Sequence, residues 1–86
     1  MKAYKAFDEN WKCRGFQFEV GRTYTHEGGV KLCNSGFHAC ESPFDVLNYY
    51  PITSNFAEVA LDEVSEETMD DSKRVSKHIT IKNLSL

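Results

Sequence analysis

Three thiols and one imidazole give this chain its widest chemical reach: Cys13, Cys33, His38 and Cys40. Three cysteines and a histidine form a donor set for tetrahedral zinc, and a structural metal would help a chain too short to build a large core. The spacing differs from a zinc knuckle, because no two of these cysteines read Cys-x2-Cys. On an extended strand His38 and Cys40 point to one face, so the two could still share an ion. The plainer reading is that the thiols pack as small hydrophobes. His38 could also act as base for a thiol nucleophile. Such a pair needs a third group to orient the base, and the sequence fixes none. His26 and His78 read as solvent-facing strand or turn residues.

The second group able to do work is acidic. Seven acidic residues fall between Glu58 and Asp71, with no lysine or arginine among them. Glu63, Glu66, Glu67, Asp70 and Asp71, together with Tyr49 and Tyr50, make a candidate docking surface. Carboxylates steer a basic partner, and tyrosine is enriched at protein interfaces. The plainer reading is a solvated surface loop balanced by the basic segment that follows it.

The elements that must position these groups can be read from periodicity. Lys2 to Phe7 alternates, with Ala3, Lys5 and Phe7 on one side, and predicts a strand. Phe16, Phe18 and Val20 alternate with Gln17 and Glu19 and predict a second. Arg22 to His26 and Val30 to Cys33 read as short strands around the Glu27-Gly28-Gly29 turn. Phe37 to Cys40 is extended. Ser42-Pro43-Phe44-Asp45 opens a helix: Ser42 can cap it, Pro43 suits its first position and Asp45 complements its dipole. Pro51 stops that helix at about Tyr50. Phe56 to Leu61 is a strand with Ala57, Val59 and Leu61 inward. Lys73 to Lys82 is the last, with Ile79 and Ile81 inward, placed to pair with the acidic strand. The sum is an α+β fold: a single small domain over residues 1–86, with five or six short, mostly antiparallel strands and one short helix. The aromatic strands are expected to fold back onto the helix and fill the interior, leaving no room for a substrate.

Composition sets the outer bounds. The 86 residues are 41% hydrophobic and 13% aromatic, enough for one folded domain with a thin core. A net charge of −3 argues against a surface that tracks nucleic-acid phosphates. No apolar run is long enough to span a bilayer, and the first residues lack the apolar core of a secretory signal. The odd number of cysteines fits reduced thiols or a metal site better than a disulfide scaffold. An exposed sheet edge in so small a domain could pair with a second copy, so a homodimer is open.

Three runs carry a resemblance. Cys13-Arg14-Gly15-Phe16-Gln17-Phe18-Glu19-Val20-Gly21, Gly36-Phe37-His38-Ala39-Cys40 and Asp45-Val46-Leu47-Asn48-Tyr49-Tyr50, with the Ser72-Lys73 approach to the last strand, resemble a small uncharacterised domain found in phage and prophage proteins. The resemblance implies a mobile-element origin and a bacterial cytoplasm. By analogy with other small phage proteins, it implies a stoichiometric inhibitor of host defence, such as an anti-CRISPR protein, acting on a bacterial host protein. A looser likeness is to ADP-ribosyltransferase-type folds. Arg14-Gly15 and Gly36-Phe37-His38 running into the Ser42 helix are similar to the first half of that fold. It would make Arg14, His38 and Glu58 the candidate catalytic set of a nucleotide-binding enzyme fragment. The reading that results is a non-catalytic protein-binding accessory, with the nucleotide-dependent transferase and a zinc-stabilised structural module as alternatives.

Overall fold

Alternation decides where the chain folds. In β1 (Lys2–Phe7) the residues Ala3, Lys5 and Phe7 are all buried, as the two-residue period of a half-buried strand requires. The computed structural model describes residues 1–30, 35–48, 55–68 and 72–82. It contains β1, β2 (Lys12–Cys13), β3 (Phe16–Gln17), β4 (Thr23–Thr25), β5 (Phe37–Cys40), β6 (Asn55–Val64) and β7 (Lys73–Ile81), with one 3-10 turn at Asp45–Asn48.

The two long strands form the frame. β6 and β7 pair antiparallel from Val59↔Ile81 to Val64↔Ser76. β1 lies on the other edge of β6, from Lys2↔Ala60 to Phe7↔Asn55. The other edge of β7 carries two strands in succession: β5 along Lys73 to Ser76 and β4 along His78 to Thr80. β5 closes the circle by meeting β1. The result is a small mostly-β domain built on a four-stranded antiparallel barrel, β7-β5-β1-β6, with β4 prolonging the line of β5. Closure removes the free edges that an open sheet of these strands would leave.

The barrel is narrow, and its filling shows it. Ala3, Ala39 and Ala57 sit among Phe7, Val59, Leu61, Ile79 and Ile81, and Phe18 and Phe37 complete the interior. Small side chains beside large ones let a tight barrel close without overpacking. On the outer face Ala6, Cys40 and Val46 form a second cluster, with Tyr4 and Phe56 against it.

Two expectations need correction. The helix opened by Ser42 is not an α-helix among the described residues. Asp45–Asn48 makes a single 3-10 turn, and residues 49 and 50 lie outside the described part, as does the stop at Pro51. The reason is local. The Asp45 carboxylate accepts from both the backbone N–H and the hydroxyl of Ser72, at 3.0 and 2.7 Å. The Ser42 N–H donates to the Ser72 hydroxyl at 2.8 Å. The Asp45 carboxylate expected to complement a helix dipole is spent, with the Ser42 N–H, on pinning this segment to the start of β7. Second, Phe16, Phe18 and Val20 do not share a buried face: Phe18 is buried, while Phe16 and Val20 are each 45% exposed. The strand ends at Gln17, whose amide donates to the carbonyls of Asn10 and Phe18 and holds the chain in a hairpin. The expected strand at Val30 to Cys33 falls largely outside the described residues.

Candidate functional site

The β1–β5 seam is where the barrel fails to zip. Among the described residues only Tyr4↔Cys40 pairs across it. Beyond that pair, β1 continues to Phe7 and β5 runs back to Phe37 without a ladder between them. The gap is bridged by a side chain. Lys5 lies on the inner face of β1, and its ammonium donates to the His38 backbone carbonyl at 2.6 Å. That bond stands in for the ladder bond missing at this position. The same ammonium lies over the rings of Phe7 and Phe18, at 6.0 and 5.8 Å from their centres, within the range of cation–π attraction.

A hairpin covers the gap. Cys13↔Phe16 pair across a two-residue turn made by Arg14 and Gly15, both with positive φ, 52° and 77°. That is the backbone of a type I′ hairpin turn, whose twist matches its strands. The turn usually takes Asn-Gly; here Arg14 occupies the first position. Phe16 and Phe18 then join Tyr24 and Phe37 in an edge-to-face cluster with centroid distances of 5.2–6.0 Å.

Between hairpin, seam and turn lies a cleft of about 800 Å³. Its lining draws on β1 at Lys5, the hairpin at Cys13, Arg14 and Phe16, β5 at Phe37, His38 and Cys40, the turn at Val46 and β7 at Lys73. The core is filled, but the expectation of no room beside it needs correction, because this cleft opens at the seam. The aromatic hairpin does not close onto the Ser42 segment, because a four-stranded barrel with one broken seam has a side wall to spare.

The cleft's electrostatics are one-sided. Lys5 and Lys73 are 7% and 8% exposed, and Arg14 is exposed at the rim. Burial pushes the Lys5 pKa down from its ordinary value, against the pull of the Cys13 and Cys40 sulfurs, with Arg14 adding to the drop. Burial and then the fields of Lys73, Lys5 and Arg14 push His38 down from 6.5 to about 4. His38 is neutral at physiological pH. Three cations thus converge on one imidazole, and the carboxylate-bearing residue in the lining is Glu27.

The structure brings together some of the residues singled out above and separates others. Arg14 and His38 line one cleft, as do Cys13 and Cys40. Glu58 is not in that lining: its carboxylate pairs with the Lys2 ammonium at 3.4 Å, and its hydrogen bond and charge raise the Lys2 pKa. The transferase set is therefore split. No disulfide joins Cys13 to Cys40. Cys33 lies outside the described residues, and among those described no three His, Cys, Asp or Glu side chains are grouped to hold a metal ion. Glu63 sits near the end of β6 with its carboxylate 2.9 Å from His78 Nε2, while Thr25 Oγ1 lies 2.9 Å from Nδ1. Glu66 and Glu67 are exposed. Tyr49, Tyr50, Asp70 and Asp71 lie outside the described residues.

Sequence reasoning missed Lys5 and Lys73. The signal was present for Lys5, which alternation placed with Ala3 and Phe7 on the inward face; a lysine in register with a core face is worth pursuing as a site.

A family model described as a domain of unknown function (DUF7666) matches residues 1–85. The chain belongs to the DUF7666 family. The match spans every strand of the barrel and every wall of the cleft, so both belong to this DUF7666 domain as a whole. No curated protein and no solved structure matches the chain. No described helix is long and apolar enough to cross a membrane.

Proposed function

We propose that this domain is a binding module whose working part is the cleft at the open β1–β5 seam, and that the cleft takes a small anionic ligand. One observation carries this reading: Lys5, Lys73 and Arg14 line one cleft in which the carboxylate-bearing residue is Glu27. Desolvating an ammonium is costly unless opposite charge or hydrogen bonds offset it. Lys5 already has the His38 carbonyl and two ring faces for this; an anion in the cleft would add attraction from the cations of the lining. The cleft's volume is within the range of small-molecule sites. The transferase version of this reading would need Glu58 beside Arg14 and His38, and Glu58 is not in the lining.

The test is thermal unfolding in sodium phosphate against sodium chloride at matched ionic strength. A ligand that binds only the folded state raises Tm with its concentration. Phosphate is expected to raise Tm beyond chloride, and Arg14→Gln to abolish the difference. Equal curves in the two salts would defeat the reading.

A second reading keeps the phage-type accessory, a host-defence inhibitor of the anti-CRISPR kind in the cytoplasm of a bacterial host. It draws support from Glu63, Glu66 and Glu67, which are exposed together where β6 ends. A basic surface on a host protein is the partner such acids steer toward. Recovery of a partner from bacterial lysate should fall when all three are changed to lysine. Undiminished recovery would remove this surface from consideration.

A further inference from the structure

Three side chains from three strands are joined in one line. The Glu63 carboxylate of β6 lies 2.9 Å from Nε2 of His78 on β7, and Nδ1 of the same ring lies 2.9 Å from Thr25 Oγ1 on β4. An ionised carboxylate can only accept a hydrogen bond. With Glu63 as that acceptor, Nε2 carries the proton of the neutral ring, and Nδ1 is left to accept from the Thr25 hydroxyl. A hydroxyl held on an imidazole lone pair, with the other ring nitrogen oriented by a carboxylate, is the arrangement that activates a hydroxyl as a nucleophile.

The backbone is set to make this line. The His26 N–H donates to the Lys77 carbonyl at 2.8 Å. Thr25 and His78, the next pair in the register, are therefore a non-hydrogen-bonded pair, the kind whose side chains come closest. The Thr25 N–H then points away from β7, to the side on which β4 meets no strand among the described residues. A backbone N–H beside a nucleophile can donate to the negative oxygen that forms during attack. Glu63 takes part only through a twist of the chain. Leu61 is buried, and alternation would send Glu63 to the same side. A φ of 51° breaks the alternation at Glu63, and the Asp62 carboxylate accepts the Glu63 N–H at 3.0 Å. Such backbone strain in a polar residue is often found where position matters more than ease of folding. Thr23 and Thr80 show the contrast: the same kind of pair in the same two strands, joined hydroxyl to hydroxyl at 2.7 Å.

We propose that Thr25 is the nucleophile and His78 the general base of a site that hydrolyses small carboxylic esters, with Glu63 as the positioning residue. Thr25 Oγ1 bonds to the ester carbonyl carbon while its proton passes to His78 Nδ1. The ester C–O bond then breaks, and the proton on Nδ1 goes to the leaving oxygen. Water, deprotonated by Nδ1, releases the acyl group as a carboxylic acid and restores the threonine. An ester asks least of so open a site, because its leaving oxygen needs less help than the nitrogen of an amide. The proposal does not depend on the anion-binding reading, since Glu63 and His78 lie outside the lining of the cleft.

Hydrolysis of p-nitrophenyl acetate by the full chain tests this. The chain should release p-nitrophenol faster than buffer alone, and an acid-quenched sample should carry one acetyl group, which peptide mass spectrometry places on Thr25. Thr25→Val keeps the branched shape and removes the hydroxyl; it should bring the rate to that of buffer and abolish the acetyl group. His78→Gln should lower the rate about a hundredfold or to the buffer rate. Glu63→Gln should lower kcat about tenfold or more and leave KM unchanged, as loss of an orienting partner does. Thr23→Val, on the same strand and facing Thr80, should change nothing. Thr25 and Thr23 are exposed, and circular dichroism of each variant checks the fold. A rate equal to buffer, an acetyl group on a cysteine or lysine instead, or a Thr23→Val loss as large as that of Thr25→Val would each overturn the proposal.

Discussion

Gly36 offers the sharpest test of how the seam is built. It precedes β5, at φ +104°, and a Cβ placed there would meet Val30 Cγ1 and Val75 Cγ2 at 2.8 Å and the Ser76 carbonyl oxygen at 3.0 Å. Gly36→Ala therefore carries two penalties. A left-handed backbone costs an L-residue about 1–2 kcal/mol. Forcing a methyl between two packed valine methyls and a strand carbonyl adds about 1–3 kcal/mol. Stiffening of the unfolded chain returns about 0.4–1 kcal/mol. The net loss is about 2–4 kcal/mol, against a total of roughly 5–15 kcal/mol for a domain. In a chain of this size that is a fall in Tm of about 10–30 °C. The control is Gly28→Ala, also at positive φ (+88°) but with nothing within 4 Å of the new methyl. It should lose only the backbone part, about 1 kcal/mol. Urea unfolding followed by circular dichroism measures both. If Gly36→Ala loses no more than Gly28→Ala, the close approach of β5 to Val30 and β7 is not as described, and the cleft wall built on it fails too.

Other outcomes follow from the same geometry. His38 is held near pKa 4 in the folded state against an ordinary 6.5. The unfolded chain therefore takes up its proton first, and stability should fall as pH drops from about 6.5 to about 4. The proton resonances of His38 should titrate near 4, and in His38→Gln the fall over that window should shrink; an ordinary titration near 6.5 would contradict the cation cluster. Asp45→Ala removes both bonds to Ser72 and should cost about 1–3 kcal/mol of unfolding free energy; no loss would mean the turn is not pinned there. Arg14→Asn should keep or slightly raise Tm, since Asn suits the first position of a type I′ turn, yet weaken phosphate binding. Phe44, 79% exposed, should change to Ser within about 0.5 kcal/mol.

Much of the frame was legible because alternation and burial agree. Ala3, Lys5 and Phe7 point inward, as do Ala57, Val59 and Leu61, and Ile79 and Ile81, and β6 pairs with β7. Ser42 and Asp45 are good helix-starting residues, but the Asp45 carboxylate and the Ser42 N–H are claimed by Ser72, about thirty positions away. Local propensity cannot register such a partner. The Phe16-to-Val20 strand was cut short for a similar reason, since the Tyr24 hydroxyl takes the Glu19 N–H at 2.8 Å and the chain turns to meet Ile81 at Gly21. The cleft was hidden altogether. It arises from a ladder that stops after one pair, and register at a seam depends on how the whole barrel closes. Cys13, His38 and Cys40 line one cleft, but among the described residues they are not grouped to hold a metal ion.

The cleft draws its walls from positions near 5, 14, 38 and 73, almost the full span of the polypeptide. No excised fragment holds more than part of it. The cleft is consequently complete only when the fold is: a chain cut before its final ribbon lacks the Lys73 wall, and the first ribbon meets the middle one through Tyr4 and Cys40 and the Lys5 side chain.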